Sequence, residues 1–343
     1  MSRQATGSLR TYLITRLLLF IPQVLVILTI VFILMRVAPG DPVSVALGGQ
    51  RSAEELQALR EAAGYDRPIL VQYAEYIGGV LTFDLGTTIV DNRPVTQIFA
   101  VNGGATLTLT LAAFLVALVL SIPLGLLAGR FRDTALDAVL RVLGILTYAA
   151  PVFFLGLLLQ LLFARTLGWL PSSSQASPVM FASVPPRTNV FLVDALLADN
   201  TAAFVNGLQH LVLPAITLGL LLTGVFIRII RINLIQTLSS DYVEAARARG
   251  VPERRVVVAH AFKNAMVPFV TILGLQVALL LGGAILTEQT FNWNGIGSQL
   301  VRYLDARDYA AVQGIITFFA LAVVTVSLLI DIINAIIDPR VRY

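Results

Sequence analysis

Few residues of this chain have the types and spacing that enzymatic chemistry requires. It has no cysteine, and its two histidines, His210 and His260, lie far apart. A zinc-dependent hydrolase needs a pattern such as His-x-x-x-His. A phosphate-binding loop needs a glycine directly before its lysine, but the single lysine, Lys263, follows Phe262. The sequence therefore predicts no catalytic residue, no metal site and no cofactor bound by this chain, and it excludes nucleotide hydrolysis by the chain itself.

The most informative residues form a polar, arginine-rich stretch, Ser239–Pro268, between two apolar segments. Asp241, with Glu244 three residues later, predicts the N-cap of a short helix. Gly250 predicts the left-handed residue that ends this helix, and Pro252 the first position of a second helix. The stretch is thus predicted to fold as a hairpin of two short helices over residues 238–263.

The composition of the chain predicts that the segments on either side of this hairpin are membrane-spanning helices. The chain of 343 residues is 57% hydrophobic and 13% charged, with a mean hydropathy of +0.83, far more apolar than soluble domains. A helix that spans a bilayer needs about 20 mostly apolar residues. We predict an all-α membrane protein with a single domain, 1–343, and six spans at about 13–35, 105–128, 142–164, 208–230, 264–287 and 310–332. The second and fourth spans are predicted to start after Asn102-Gly103-Gly104 and Asn206-Gly207, which we interpret as helix breakers.

Orientation follows from the basic residues, because Lys and Arg are in excess on the cytoplasmic side of membrane proteins. With the N-terminus inside, fifteen of the 24 Lys and Arg residues fall in cytoplasmic segments. Both termini and the hairpin are therefore predicted to be cytoplasmic. The long segments 38–102 and 165–206 are predicted to be external, where they either form a docking surface with charges such as Glu54, Glu55 and Asp91 or only cover the membrane part.

The apolar spans contain little that could drive transport by itself. No Asp, Glu, Lys or Arg lies at the centre of a span, which argues against a proton- or sodium-coupled carrier. Glu288 and Asp331 lie near span ends, where we expect them to reach water or to form ion pairs. Gly125 and Gly129 form a G-x-x-x-G pattern that either marks a close helix contact or occurs by chance.

The hairpin is similar to a known family pattern. Glu244-Ala245-Ala246-x-x-x-Gly250 resembles the EAA loop of ABC importer permeases, and the residues from Glu253 to Pro268 resemble the branch that imports peptides and nickel. Segments that resemble the same branch occur along nearly the whole chain: Arg36-x-x-Pro39-Gly40-Asp41-Pro42, Asp66-Arg67-Pro68, Asp84-Leu85-Gly86, Leu213-Pro214-Ala215, Ala306-Arg307-Asp308-Tyr309 and Asp338-Pro339-Arg340. The chain departs from the pattern at Asn294, where the family usually has proline, and in a longer loop at 171–190.

The resemblance implies the fold of a type I ABC importer permease, here the first permease subunit of a dipeptide or oligopeptide importer, in a bacterial or archaeal inner membrane. It implies a second related permease subunit, two ATPase subunits that bind ATP and magnesium, and an external substrate-binding protein, with no nucleic acid partner. The residues that it assigns to ATPase coupling are Asp241, Tyr242, Glu244, Ala245, Ala246, Arg249, Gly250 and Pro252. Ala245 and Ala246 are expected to face the ATPase.

The cargo stays open at this level. Nickel chelates, glutathione or oligosaccharides are alternatives within the same architecture. A stand-alone channel or secondary carrier is the alternative from another class, and the cytoplasmic hairpin and the lack of intramembrane charges argue against it. An intramembrane enzyme would need a paired carboxylate, a Ser/His pair or a metal constellation that the spans lack. No residue that lines a substrate path is predicted.

Overall fold

In the computed structural model the described residues are 9–37, 54, 57, 60–61, 64 and 66–337, and most of them are helical. The helices are α1 (Leu9–Val37), α2 (Ile69–Leu81), α3 (Val95–Arg130), α4 (Ala135–Ala149), α5 (Val152–Leu159), α6 (Pro178–Ala182), α7 (Phe191–Leu197), α8 (Thr201–Leu238), α9 (Asp241–Ala248), α10 (Glu253–Arg255), α11 (Phe262–Thr290), α12 (Ile296–Asp305) and α13 (Tyr309–Ile337). A π-helical stretch, Gln160–Thr166, continues α5, and another, Val256–Ala261, joins α10 to α11. In this part of the chain, β structure is limited to one bridge between Thr87 and Pro94. The all-α prediction is confirmed.

Four helices in the described part of the chain are long and apolar enough to cross a bilayer: Thr11–Val37, Val95–Arg130, Thr201–Leu238 and Tyr309–Ile333. The pair Ala135–Ala149 and Val152–Thr166 adds a fifth if it forms one span. The predicted span 264–287 lies inside α11. The count of six therefore stays a prediction. Most of the motif 36–42, the charge Glu55 and the C-terminal motif 338–343 lie outside the described residues.

The two Asn-Gly breakers predicted from the sequence are wrong. Helix α3 runs without interruption through Gly104, and α8 through Gly207. These glycines serve close packing instead: a Cβ on Gly104 would lie 2.0 Å from the carbonyl oxygen of Asn189, and one on Gly207 would lie 2.8 Å from Leu192 Cδ2. Both helices are consequently longer than the spans predicted for them. Glycine inside a helix does not have to break it and can instead allow another segment of the chain to approach closely.

The predicted third span is bent rather than straight. Helix α4 ends at Ala149, Pro151 precedes α5, and the two helix axes differ by 106°. Proline disfavours helical backbone at the residue before it, and Ala150 is indeed extended, with φ −75° and ψ 134°. The bend lets the pair α4–α5 wrap around a neighbouring helix.

Helix α8 is that neighbour and the centre of the bundle, in contact with α3, α4, α5 and α11. A Cβ on Gly125 would lie 2.7 Å from Ile230 Cβ, and one on Gly129 would lie 2.8 Å from Leu234 Cδ2. The G-x-x-x-G pattern is therefore a real helix contact, which small residues favour inside membranes. The buried core between α3, α8 and α11 contains Leu109, Leu218, Leu222, Phe226, Ile230, Phe269 and Leu280.

Candidate functional site

The N-cap of α9, the first helix of the hairpin, lies one residue earlier than predicted. Ser240, not Asp241, is the N-cap of α9: its backbone is extended, with φ −89° and ψ 149°, and its carbonyl accepts from the Val243 N–H at 3.0 Å. No side chain caps the helix, because the Ser240 hydroxyl donates back to the Thr237 carbonyl at 2.5 Å. Asp241 and Glu244 lie in the first turn, where carboxylates interact favourably with the positive end of the helix dipole.

The end of α9 confirms the prediction for Gly250, whose φ is +75°. The Gly250 N–H donates to the Arg247 carbonyl at 2.9 Å, and the Val251 N–H donates to the Ala246 carbonyl at 3.2 Å. This pair of bonds is the Schellman motif, which satisfies the last carbonyls of a helix. A Cβ on Gly250 would meet no atom within 4 Å, so the position requires glycine for its backbone conformation and not for space.

The second helix of the hairpin starts at Glu253, and Pro252 stands just before it rather than at its first position. Pro252 has φ −55° and ψ 138°, and its carbonyl accepts from the N–H groups of Arg255 and Val256 at 2.8 and 3.0 Å. Helix α10, the π-helical stretch and α11 then follow one another without a break from Glu253 to Thr290. The hairpin is thus joined directly to a long apolar helix.

Ala246 does not face outward, and this expectation from the sequence is wrong. Ala246 and Val243 are buried against Leu234 at the end of α8 and against Val256 and Val257. The reason is that the hairpin folds back onto the helices that carry it, so that one face of α9 is used for internal packing. The interior of the hairpin is therefore apolar and belongs to the core of this chain.

The opposite face of α9 is exposed, and most of the predicted coupling residues lie in this exposed part of the hairpin: Asp241, Tyr242, Glu244, Ala245, Arg249 and Pro252. Tyr242 is 44% exposed, and its hydroxyl accepts from Asn264 Nδ2 at 2.8 Å. The structure thus brings together six of the eight predicted residues on the accessible surface, while Ala246 is internal and Gly250 shapes the turn. An exposed polar face at the end of a long apolar helix is suited to contact a soluble protein.

An ion pair that we did not predict stiffens the hairpin. Arg247 Nη2 and Nε donate to the two carboxylate oxygens of Glu253 at 2.9 and 3.1 Å. These hydrogen bonds lower the pKa of Glu253 and raise the pKa of Arg247. The sequence gives only a weak indication of this ion pair. Two opposite charges six residues apart meet only if the chain reverses between them, here at the Gly250 turn.

A second organised region lies where α11 ends and α12 begins, and we call residues 288–298 with the α3 residues they contact the Trp293 junction. Trp293 is buried, and its indole N–H donates to the Ala105 carbonyl at 2.9 Å. The amide of Asn102 donates to the Asn294 carbonyl at 3.1 Å. The junction therefore ties the end of α11 to the first third of α3.

Glu288 is part of this junction and is not at a water interface, contrary to the sequence prediction. Its side chain is fully buried and accepts from the Thr106 hydroxyl at 2.6 Å and from the Ser298 N–H at 2.8 Å. The Thr106 hydroxyl also accepts from the Ile296 N–H at 2.8 Å. Asp331, in contrast, forms the expected ion pair, with Arg16 at 3.1 Å.

The loop before α3 is fixed by acidic residues. Asp308 Oδ2 accepts from the N–H groups of Ile89 and Val90 at 2.6 and 3.0 Å. Asp91 accepts from the hydroxyls of Thr88 and Tyr303. Burial raises the pKa of Asp91, but these hydrogen bonds and the nearby Arg93 and Arg302 guanidinium groups outweigh it and lower the pKa.

Asp91 is consequently a structural anchor and not a free surface charge. Its side chain is 24% exposed and already bonded within the chain. The docking surface predicted for segment 38–102 stays a prediction. Close by, a polar cavity of 420 Å³ lies between α1, α2 and α13, lined by residues that include Arg36, Gln72, Glu75, Asp84 and Gln313. In the described part of the chain, no group of three or more His, Asp or Glu residues could hold a metal ion.

Comparisons with known proteins match this architecture over nearly the whole chain. The family described as "Binding-protein-dependent transport system inner membrane component" matches residues 121–343, and its N-terminal counterpart matches residues 9–97. The di/tripeptide transport system permease protein of Pseudomonas aeruginosa is 36% identical over 334 residues, which cover 97% of this chain and 99% of that protein. The dipeptide transport system permease protein of Escherichia coli is also 36% identical, with coverage of 97% and 98%.

The glutathione transport system permease protein of Salmonella choleraesuis is 35% identical over 332 residues, which cover 97% of this chain and 99% of that protein. Family and relatives agree with the apolar helices of the fold and with a role in membrane transport. The chain belongs to the family of inner membrane components of binding-protein-dependent transport systems, and it is a transmembrane permease subunit.

Proposed function

We propose that this chain is one permease subunit of an ATP-driven importer of di- and oligopeptides. It works with a second, related permease subunit, two ATPase subunits and an external substrate-binding protein. The chain itself is not catalytic: ATP and magnesium bind to the ATPase partners. The observation that carries this proposal is the hairpin, which is closed by the Gly250 turn, packed on α8 and continuous with α11.

The hairpin has the properties that a mechanical contact requires. Its interior is apolar, and its turn is held by two backbone hydrogen bonds and the Arg247–Glu253 ion pair, so it moves as a rigid body. Its exposed face, with Tyr242 and Ala245, is free to enter a cleft in an ATPase subunit. When ATP closes the ATPase dimer, the hairpin moves with the cleft, and the helices that carry it change between inward- and outward-open arrangements.

The membrane orientation belongs to the same proposal. The hairpin and both termini lie on the cytoplasmic side of a bacterial or archaeal inner membrane, and residues 38–102 and 165–206 lie on the other side. Support comes from the Lys and Arg residues, which are concentrated in the segments assigned to the cytoplasm. Single cysteines test this directly, because the chain has none of its own. A cysteine at Ser172 should react with an impermeant reagent in intact cells, and one at Ser239 only in permeabilised cells.

Peptides are the proposed cargo because one of the similar permeases is named for di/tripeptide transport and another for dipeptide transport. Glutathione is the second candidate, favoured by the similarity to a glutathione permease. The complete complex in proteoliposomes, with ATP enclosed on the hairpin side, should take up a labelled dipeptide. Competition by unlabelled dipeptides, glutathione, a nickel chelate and an oligosaccharide then ranks the cargo classes. Uptake that does not depend on ATP would contradict the proposal.

A further inference from the structure

A buried ion pair joins the start of α4 to the C-terminal part of α8. Arg231 Nε donates to Asp137 Oδ1 at 2.6 Å, and Arg231 Nη2 donates to Oδ2 at 2.7 Å. The Asp137 side chain is fully buried, and that of Arg231 is 17% exposed. The Asp133 N–H donates to Oδ2 as well, at 3.0 Å. Paired Arg–carboxylate bonds of this kind fix orientation as well as distance.

A second contact fixes the position of α4 along α8. A Cβ on Gly224 would lie 2.1 Å from the carbonyl oxygen of Gly144, so the two backbones touch there. This contact lies two helical turns from the ion pair on both helices, about 10 Å along the axis. Because one contact leaves no room for a side chain and the other is bidentate, α4 cannot slide or rotate on α8 without breaking one of them.

Arg231 lies beside the attachment of the hairpin. Leu234, almost one turn further along α8, packs in the same apolar cluster as Val243 of α9 and Val256. The last turns of α8 therefore contact both the hairpin and, through Arg231, the start of α4. A displaced hairpin would therefore act on α8 directly and on α4 through Arg231.

The other arm of the bent pair reaches the Trp293 junction. A Cβ on Gly156 of α5 would lie 3.0 Å from Phe291 Cε2 and 3.1 Å from Thr290 Cγ2. Gln160 Nε2 donates to the Thr290 carbonyl at 3.1 Å. The pair α4–α5 is thus attached to α8 near the hairpin at one end and to the last residues of α11 at the other.

We propose that Asp137 and Arg231 are positioning residues that hold α4–α5 on α8, so that movement of the hairpin is passed to the Trp293 junction. This inference rests on the proposed function, since it assigns the route by which the ATPase-driven motion leaves the hairpin. The stability of the fold alone does not explain why an ion pair stands at this contact. A buried ion pair often stabilises a protein no more than apolar residues of similar volume would.

The decisive variant replaces the pair by apolar residues, Asp137→Leu with Arg231→Met. It leaves no unpaired buried charge, because Arg141, the other cation near Asp137, is half exposed. Only the Asp133 N–H loses an acceptor. We therefore expect the fold and the assembly of the complex to be retained, while the bidentate link is lost. The single variant Asp137→Asn is tested beside it. Both are compared with wild type in the complete complex by the ratio of peptide transported to ATP hydrolysed, by basal ATP hydrolysis and by complex yield.

The chain supplies a control in Arg16 and Asp331, an ion pair between α1 and α13. In the described structure neither of these helices packs extensively on the hairpin or on α8. We expect Asp137→Leu/Arg231→Met to assemble normally and hydrolyse ATP at the basal rate, with transport per ATP lowered at least tenfold. Asp331→Asn should change that ratio less than twofold. An apolar double variant that transports as much per ATP as wild type would overturn the inference and leave the proposed function standing. The proposed function itself fails if the wild-type complex shows no ATP-dependent uptake.

Discussion

The hairpin and the Trp293 junction are built by opposite means. The hairpin is defined by contacts between residues close in the sequence: Gly250 to Arg247, Val251 to Ala246 and Arg247 to Glu253. The junction is defined by contacts between α3 and residues far along the chain. The hairpin can thus move as a unit while keeping its shape, whereas any change at the junction requires α3 and α11 to separate. This difference agrees with the proposed function, in which the hairpin receives the motion of the ATPase and the junction opens in response.

The largest expected effect is at the junction. Thr106→Val removes the hydroxyl that donates to Glu288 and accepts from the Ile296 N–H. The buried Ile296 N–H then has no acceptor and Glu288 loses one of its donors, which together should cost about 2–3 kcal/mol. Thermal unfolding of the purified subunit in detergent measures the loss. Thr110→Val is the control, since Thr110 bonds only the Thr106 carbonyl within the same helix. Equal stability of the two variants would show that the junction does not depend on this bond.

A matched pair in the hairpin separates its two faces. Ala246→Leu should overpack the interior and destabilise the hairpin by about 1–3 kcal/mol. Ala245→Leu, one residue earlier on the exposed face, should leave stability unchanged and weaken binding of the ATPase subunits. Proteolysis within 239–262 reports the first effect, and co-purification of the ATPase reports the second. If both variants behaved alike, the assignment of the two faces would be refuted.

Gly250→Val tests the backbone of the turn. A left-handed conformation costs about 1–2 kcal/mol for a residue with a Cβ, and a Cβ on Gly250 would meet no atom within 4 Å that adds to this cost. Gly168→Val is a close control, because Gly168 also has a positive φ, +63°, and open space. We expect the first variant to lose stimulation of ATP hydrolysis by the binding protein and the second to keep it. If Gly168→Val lost this stimulation and Gly250→Val kept it, the Gly250 turn would not be the one on which coupling depends.

The smallest effect is expected for Glu253→Gln, because an exposed ion pair contributes about 1 kcal/mol or less. The pKa of Glu253 is lowered in the fold from its ordinary value of 4.5. The contribution of the pair is therefore fully present above pH 4.5 and is lost as the pH falls through the lowered pKa. Proteolysis of the hairpin at neutral pH and at acid pH should differ between wild type and Glu253→Gln only at neutral pH. A difference that persists at acid pH would argue against the ion pair as its cause.

The sequence predicted those features that depend on local backbone preferences. The Gly250 turn follows from the freedom of glycine at positive φ, and the long apolar helices follow from composition alone. The start of α9 was misplaced by one residue because Ser240 and Asp241 are both good N-cap residues, and the backbone decided between them.

The features that failed depend on parts of the chain that meet only in three dimensions. Gly104 looks like a helix breaker until the backbone of Asn189 is placed against it. Ala246 and Ala245 are equivalent in the sequence, and only the fold of the hairpin onto Leu234 distinguishes them. In the sequence Glu288 is a charge near the end of a span. In the structure it is buried against α3, where Thr106, far away in the sequence, donates a hydrogen bond to it.

The central claim, that the exposed face of the hairpin lies in an ATPase subunit, can be measured by cysteine labelling, since the chain has no cysteine of its own. Ala245→Cys and, as a control, Ser172→Cys are reacted with a thiol reagent, first in the purified subunit and then in the complex with the ATPase subunits, without the binding protein. We predict that Ala245→Cys reacts rapidly in the isolated subunit and is protected in the complex, while Ser172→Cys reacts alike in the isolated subunit and in the complex with its ATPases. Equal labelling of Ala245→Cys with and without the ATPase would contradict the account.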